Sequence, residues 1–191
     1  MNLPNKKYNT IVIDPPWNIN SVSNTSHLKF KFSDSLPYLV MSDNELRSFP
    51  LNDFAEDDCQ LFLWVTHSTL LFGLELLKIW GFKYHCLITW DKMQGVTICG
   101  VCRKTELVLY AYKGHQNLKL KGVSLPTVFR ENRAGHSVKP KLFYELLLKS
   151  TPEPRIDIFA RKKHYGFDAW GNQVDETPTL ESYNNTLMDW T

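Results

Sequence analysis

Apolar residues follow two alternating rhythms along this chain. Short, near-continuous runs rich in β-branched and aromatic residues occupy 8–13, 61–66, 82–90, 106–112 and 155–160, the pattern of strands buried on both faces. Between them apolar residues recur at helical spacing. Leu70, Leu71, Leu74, Leu77 and Ile79 do so within 68–80, and Leu142, Phe143, Leu146 and Leu147 do so after Ser137. Gly81 stands where the first helix should stop, Ser137 can cap the second with Pro140 tolerated in its first turn, and Thr151-Pro152-Glu153-Pro154 ends it. The alternation predicts an α/β fold with a mostly parallel sheet and helices on both faces. Ligands of such sheets bind at the carboxyl ends of strands, and Asp14 and Asp157 fall near two of these ends.

Composition refines this picture. A chain of 191 residues with 43% hydrophobic content suits one domain, expected over 1–174 and followed by an acidic tail at 175–191. The tail carries Asp175, Glu176, Glu181 and Asp189 and no Lys or Arg, so removing its four negative charges from the net +2 leaves a body of +6. Basic residues gather at Lys113, Lys119 and Lys121, at Arg130, Arg133, Lys139 and Lys141, and at Arg161, Lys162 and Lys163. This distribution suits a polyanionic partner, the alternative being a solvated surface. The first eight residues are polar and lysine-bearing, and no run of about 18 apolar residues occurs, so no membrane partner and a cytoplasmic location are expected. Cys59, Cys86, Cys99 and Cys102 are too few for a disulfide scaffold. Cys99 and Cys102 form a single C-x-x-C without a second pair at zinc-finger spacing, so no metal is expected and a zinc or redox role gains nothing from the rest of the chain.

The candidate chemistry lies in Asp14-Pro15-Pro16-Trp17, directly after the first strand. A carboxylate there can accept from an adenine amine, a poor nucleophile, and stabilise the positive charge that develops as it attacks. Pro15 and Pro16 fix φ and lack N–H groups, leaving carbonyl oxygens, with no competing amide donors, near the amine, and the Pro15 carbonyl as second acceptor. Trp17 offers a flat face on which a flipped or single-stranded adenine can stack, an interaction of about 1–3 kcal/mol. Asp-Pro-Pro is also a common turn and a tryptophan after it can be a core residue. Its place at the end of a buried strand favours the catalytic reading.

This tetrad resembles the signature of the MT-A70 family of N6-adenine methyltransferases. The resemblance spans nearly the whole chain and continues through Leu36-Pro37-Tyr38 with Met41-Ser42, Leu61-Phe62-Leu63-Trp64-Val65-Thr66 and His136-Ser137 with Lys139-Pro140. It ends with Ile156-Asp157-Ile158-Phe159 with Arg161, and Trp170-Gly171-Asn172-Gln173. It implies a Rossmann-like, S-adenosylmethionine-dependent methyltransferase fold of permuted order, with the target-base motif ahead of the cofactor strand. It also implies direct methyl transfer to the N6 amine of adenine in nucleic acid, with S-adenosylhomocysteine as product and no metal. Tyr38 matches a pocket aromatic beside the target base, and Lys139 a lysine that pairs with the cofactor's methionine carboxylate. Asp157, Phe159 and Arg161 match the cofactor strand, and Asn172 and Gln173 the pair that bonds ribose and adenine. Either Lys163 or His164 takes the ribose-contacting position, His164 being favoured.

Where many such enzymes have a glycine-rich loop after the cofactor strand, this chain has Ala160-Arg161-Lys162-Lys163 and no glycine until Gly166. Its cofactor contacts should depend more on side chains. The polar loop 18–35, with Asn18, His27, Lys29 and Lys31, and the loop 91–104 adjoin the predicted pocket and are expected to read nucleotides flanking the target. The small single-domain form resembles bacterial and phage relatives, which favours DNA over RNA. A homodimer, or a heterodimer with a related subunit, is compatible with the family. The alternative is a non-catalytic nucleic-acid-binding subunit, against which stands the joint retention of Asp14, both prolines, Trp17 and Lys139.

Overall fold

The computed structural model describes residues 5–18, 40–98, 100–116, 118, 124–133 and 138–171, and in them the predicted alternation becomes one seven-stranded sheet. Its strands are β1 (Tyr8–Ile13), β2 (Ala55–Val65), β3 (Lys83–Ile98), β4 (Val101–Lys113), β5 (Val128–Arg130), β6 (Arg155–Ile158) and β7 (Asp168–Trp170). They lie in the order β5-β3-β4-β2-β1-β6-β7. β1 is parallel to β2 and β6, β6 to β7, and β3 to β5, whereas β4 runs against both β2 and β3. The described helices are α1 (Asp43–Arg47), α2 (Leu51–Phe54), α3 (Leu70–Ile79) and α4 (Lys141–Ser150). Of the residues singled out above, Lys29, Leu36, Pro37, Tyr38, Cys99, Lys119, Lys121, His136, Ser137, Asn172 and Gln173 lie outside the described ones, as do 19–35 and the tail at 175–191.

The near-continuous apolar runs arise because each central strand serves two cores. Successive side chains point to opposite faces of a strand. Ile11, Ile13, Leu61, Leu63, Leu107 and Leu109 pack on one side with Leu46, Leu51, Phe54, Leu76 and Leu77 of α1, α2 and α3. Val12, Phe62, Trp64, Val108 and Tyr110 pack on the other with Phe143, Tyr144 and Leu147 of α4. The result is the expected α/β sandwich with helices on both faces.

β1 has the predicted limits, and Gly81, at φ +76°, follows α3 as expected of a helix stop. α4 begins later than predicted. It starts at Lys141, with Pro140 at its N-cap and no local side-chain cap. The cap comes instead from Glu131, whose two carboxylate oxygens accept from the amides of Lys141 (3.0 Å) and Leu142 (2.8 Å). A carboxylate there satisfies open amides and meets the positive end of the helix dipole.

The segment 91–104, expected as a loop, is largely strand. β3 and β4 pair antiparallel beyond the central sheet, with Val96 opposite Arg103 and Thr97 opposite Cys102. A register shift between Asp91 and Val96 makes a bulge there, with Met93 at φ +61°. Its polar residues and Gly95 obscured a ladder held by backbone pairing. β5, β7, α1 and α2 were not predicted, being too short to display a period.

Gly73 lets α3 approach the sheet closely. A Cβ at Gly73 would stand 2.6 Å from Val65 Cγ1 and 3.0 Å from Leu109 Cδ1. Gly73→Ala is therefore expected to lower stability by about 1 kcal/mol, the overpacking outweighing the roughly 1 kcal/mol gained in helix propensity. A urea midpoint that stays or rises would contradict this.

Candidate active site

The site follows from the pairing of β1 with β6. Ile13 lies beside Ile158 and Val12 beside Asp157, and the Asp14 amide extends the pairing by donating to the Ile158 carbonyl at 3.3 Å. Asp14 and Asp157 therefore open into the same pocket, of about 630 Å³, together with Lys139, Phe159, Arg161 and His164. These predicted residues come from three separate segments of the chain. Asn18 is half-buried directly after Trp17.

Lys139 stands at the centre of the charges. Its Nζ lies 3.1 Å from Asp14 Oδ2, 3.2 Å from Glu106 Oε2 and 4.5 Å above the ring of Trp64. Lys92, from the bulge in β3, holds the other Glu106 oxygen at 3.3 Å. Burial pushes Asp14 above the ordinary carboxylate range, outweighing the pull of Lys139. Burial works against Glu106 too, but Lys139 and Lys92 together hold it below its usual value. Lys139 is raised, because Asp14 and Glu106 overcome the cost of burying its charge. Sequence reasoning missed Glu106. The available signal was a lone acid at the head of the apolar run 106–112.

Asp157 is buried at 4% exposure and accepts from the Tyr144 hydroxyl at 2.7 Å. Burial, joined by the nearby Asp14, pushes it up to about 7 against the opposing effects of Tyr144 and Lys139. The His164 ring stacks on Tyr144 with centroids 3.4 Å apart and planes 8° from parallel. Burial and Lys162 press His164 down to about 4. Tyr144 was also missed, because an aromatic on an amphipathic helix reads as core. Just beyond β6, Phe159 takes φ +63°, a left-handed conformation costly for a non-glycine residue and held here by packing. Its ring lies 5.2 Å from Phe49 and 5.4 Å from Trp170.

The turn itself differs from expectation at two points. Trp17 does not present a stacking face: it is 7% exposed, packs edge-on with Phe72, and donates its indole N–H to the Trp64 carbonyl at 3.2 Å. α3 covers the ring that the sequence left open. The proline carbonyls also have amide donors, since Pro15 O accepts from Trp17 N at 2.8 Å and Pro16 O from Met41 N at 3.0 Å. A carbonyl has two lone pairs, so Pro15 O keeps one for a ligand.

A mostly parallel sheet, covered on both faces, whose first and sixth strands lie side by side and end at a charged pocket, is that of a Rossmann-like methyltransferase. More particularly, residues 8–173 match the MT-A70 family, and the chain belongs to it. It is 29% identical over 188 residues to the Type II methyltransferase M.MunI of Mycoplasma sp, covering 91% of this chain and 81% of that protein. It is likewise 29% identical over 187 residues to the N(6)-adenosine-methyltransferase catalytic subunit METTL3 of Homo sapiens, covering 92% of this chain and 30% of the human protein. With the N(6)-adenosine-methyltransferase MT-A70-like protein of Drosophila melanogaster it shares 29% identity over 180 residues, 88% of this chain and 27% of the relative. The chain thus spans less than a third of these two animal relatives. Among the described residues no cluster of His, Cys, Asp and Glu is arranged to hold a metal ion, and no helix is long and apolar enough to cross a membrane.

His164 couples this pocket to acid stability. Its pKa is depressed in the fold, so the unfolded chain binds the proton first and stability is lost as pH falls from about 6.5 towards about 4. His164→Phe, which keeps a ring on Tyr144, should remove roughly 2 kcal/mol of acid destabilisation at pH 4.5. Thermal melts across this range check it, and an unchanged slope would exclude His164 as the source.

Proposed function

We propose that this protein transfers the methyl group of S-adenosylmethionine to the N6 amine of adenine in nucleic acid, DNA in preference to RNA. The observation that carries the proposal is the convergence of Asp14, Lys139 and Asp157 on one pocket at the carboxyl ends of β1 and β6. The pocket fits such a cofactor. At about 630 Å³ it is within the usual range for small-molecule sites. Lys139 offers a cation for a carboxylate, Asp157 an acceptor for an ammonium or ribose hydroxyl, and Phe159 an apolar wall.

When bound, S-adenosylmethionine supplies a methyl group made electrophilic by its sulfonium. Asp14 accepts an N–H of the adenine amine and offsets the positive charge that grows on nitrogen as the N–C bond forms and the S–C bond breaks. The free lone pair of Pro15 O takes the second N–H, and water removes the proton afterwards. Pro16 and Trp17 serve this geometry by locking the turn, Trp17 through the Trp64 carbonyl. Lys139 joins the two halves, because the ammonium proposed to meet the methionine carboxylate is already bonded to Asp14.

By family resemblance, Tyr38 is assigned to the substrate side, Arg161 to the cofactor strand, and His164, Asn172 and Gln173 to the ribose and adenine of the cofactor. Asn18 and Lys29 are assigned to the substrate side because the sequence segment 18–35 is read as adjoining the pocket. The +6 body supplies affinity for phosphates without choosing a polymer. The preference for DNA is supported by the larger share of M.MunI, a Type II methyltransferase, that the chain matches, 81% against 30% of METTL3.

Incubation with labelled cofactor on matched DNA and RNA, single- and double-stranded, followed by nucleoside mass analysis, should yield N6-methyladenine, mainly from DNA. Asp14→Ala should lower turnover by at least about 100-fold with cofactor binding retained, and Lys139→Ala should weaken cofactor binding about tenfold. Full turnover by Asp14→Ala would sink the mechanism. A methyl group on another base would sink the assignment to adenine.

A further inference from the structure

Tyr144 lies outside every motif that marks the site, yet two elements of the pocket depend on it. It projects from α4 with 2% exposure. Phe143 and Phe167 pack edge-on against its ring, each at 5.4 Å, and His164 lies parallel on one face at 3.4 Å. Phenylalanine would satisfy the apolar pattern of the helix equally well. The hydroxyl is additional, and it donates to Asp157 Oδ2 at 2.7 Å.

We propose that Tyr144 is a positioning residue of the cofactor pocket. Its hydroxyl favours the ionised form of the Asp157 carboxylate and turns it towards a hydrogen-bond donor of the bound cofactor, an ammonium or ribose hydroxyl, while its ring carries His164. This rests on the reading of the pocket as a cofactor site. An ionised carboxylate accepts only and attracts a cationic donor, whereas a protonated one presents a competing O–H.

Asp157 faces Asp14 from the end of β1, Lys139 from the segment before α4, Tyr144 from α4, and Arg161 and His164 from the segment after β6. Asp14 opposes its ionisation, while Lys139 and the Tyr144 hydroxyl favour it. His164, pressed down to about 4, stays neutral from pH 6 upwards and adds no charge. Loss of the hydroxyl would therefore move Asp157 above its value of about 7, so that more of it is protonated at neutral pH.

Tyr144→Phe keeps the ring, the stack and the packing. Titration calorimetry of the full chain with S-adenosylhomocysteine, from pH 6 to 8.5, should show this variant binding about fivefold more weakly than wild type at pH 7 and within about twofold at pH 8.5. In Asp157→Asn, which cannot titrate, adding Tyr144→Phe should introduce no pH dependence. A deficit equal at every pH would make Tyr144 merely structural and overturn the proposal, as would wild-type affinity in Tyr144→Phe throughout. In both cases the cofactor reading would stand. Wild-type protein that binds no S-adenosylhomocysteine at any pH would overturn the cofactor reading and this assignment together.

Discussion

The parallel pairing of β1 with β6 is the contact on which the pocket depends. It joins the first described strand to one near the end of the described chain, with Ile13 beside Ile158. Parallel neighbours end at the same edge of a sheet, so the residues at their carboxyl ends become neighbours. Without this pairing Asp14 and Asp157 would be unrelated acids on separate turns. With it, two carboxylates share one partly dehydrated space. Burial presses both towards neutrality, joined at Asp157 by the charge of Asp14 and at Asp14 by that of Glu106, and the charges that oppose this have to come from elsewhere in the chain.

Those charges come from the sheet's other half and from the approach to α4. Lys139 bonds Asp14 and Glu106, and Glu106 is held in turn by Lys92 from the β3 bulge. Lys139 is itself placed by an interaction away from the pocket. Glu131 clamps the first amides of α4, and its carbonyl accepts the Trp90 indole N–H at 2.9 Å. Because Glu131 occupies those amides, the helix start is closed as an anion site. The Lys139 ammonium stands two residues before that start, held between Asp14 and Glu106.

The layers of the fold were legible because strands buried on both faces and helices with one apolar stripe leave different periods, as in 61–66 and 68–80. Much of the pocket was legible because family resemblance put Asp14, Lys139, Asp157, Phe159 and Arg161 in order, followed by Lys163 or His164, and β1–β6 pairing explains why such distant residues meet. What escaped was tertiary. The α4 cap comes from Glu131, ten residues away in sequence, the 91–104 ladder depends on its partner strand, and Glu106 and Tyr144 gain their roles only from what lies across from them. A single sequence records a residue's type and period, but not its neighbour across the sheet.

Trp17 shows how this changes the meaning of a motif. Read alone, the tetrad suggests four residues turned towards a base. In the fold it divides. Asp14 opens into the pocket, while Trp17 is drawn into the core beside Phe72 and tied to the end of β2. Its ring shares the core that Ile13 and Leu63 occupy. The turn is therefore anchored on the β1 side by the Asp14 amide on β6 and on the far side by the Trp17 indole on β2. On the proposed mechanism, a carboxylate that meets a weak nucleophile gains more from such anchoring than from another exposed ring, because pre-organised acceptors need not reorganise as charge develops.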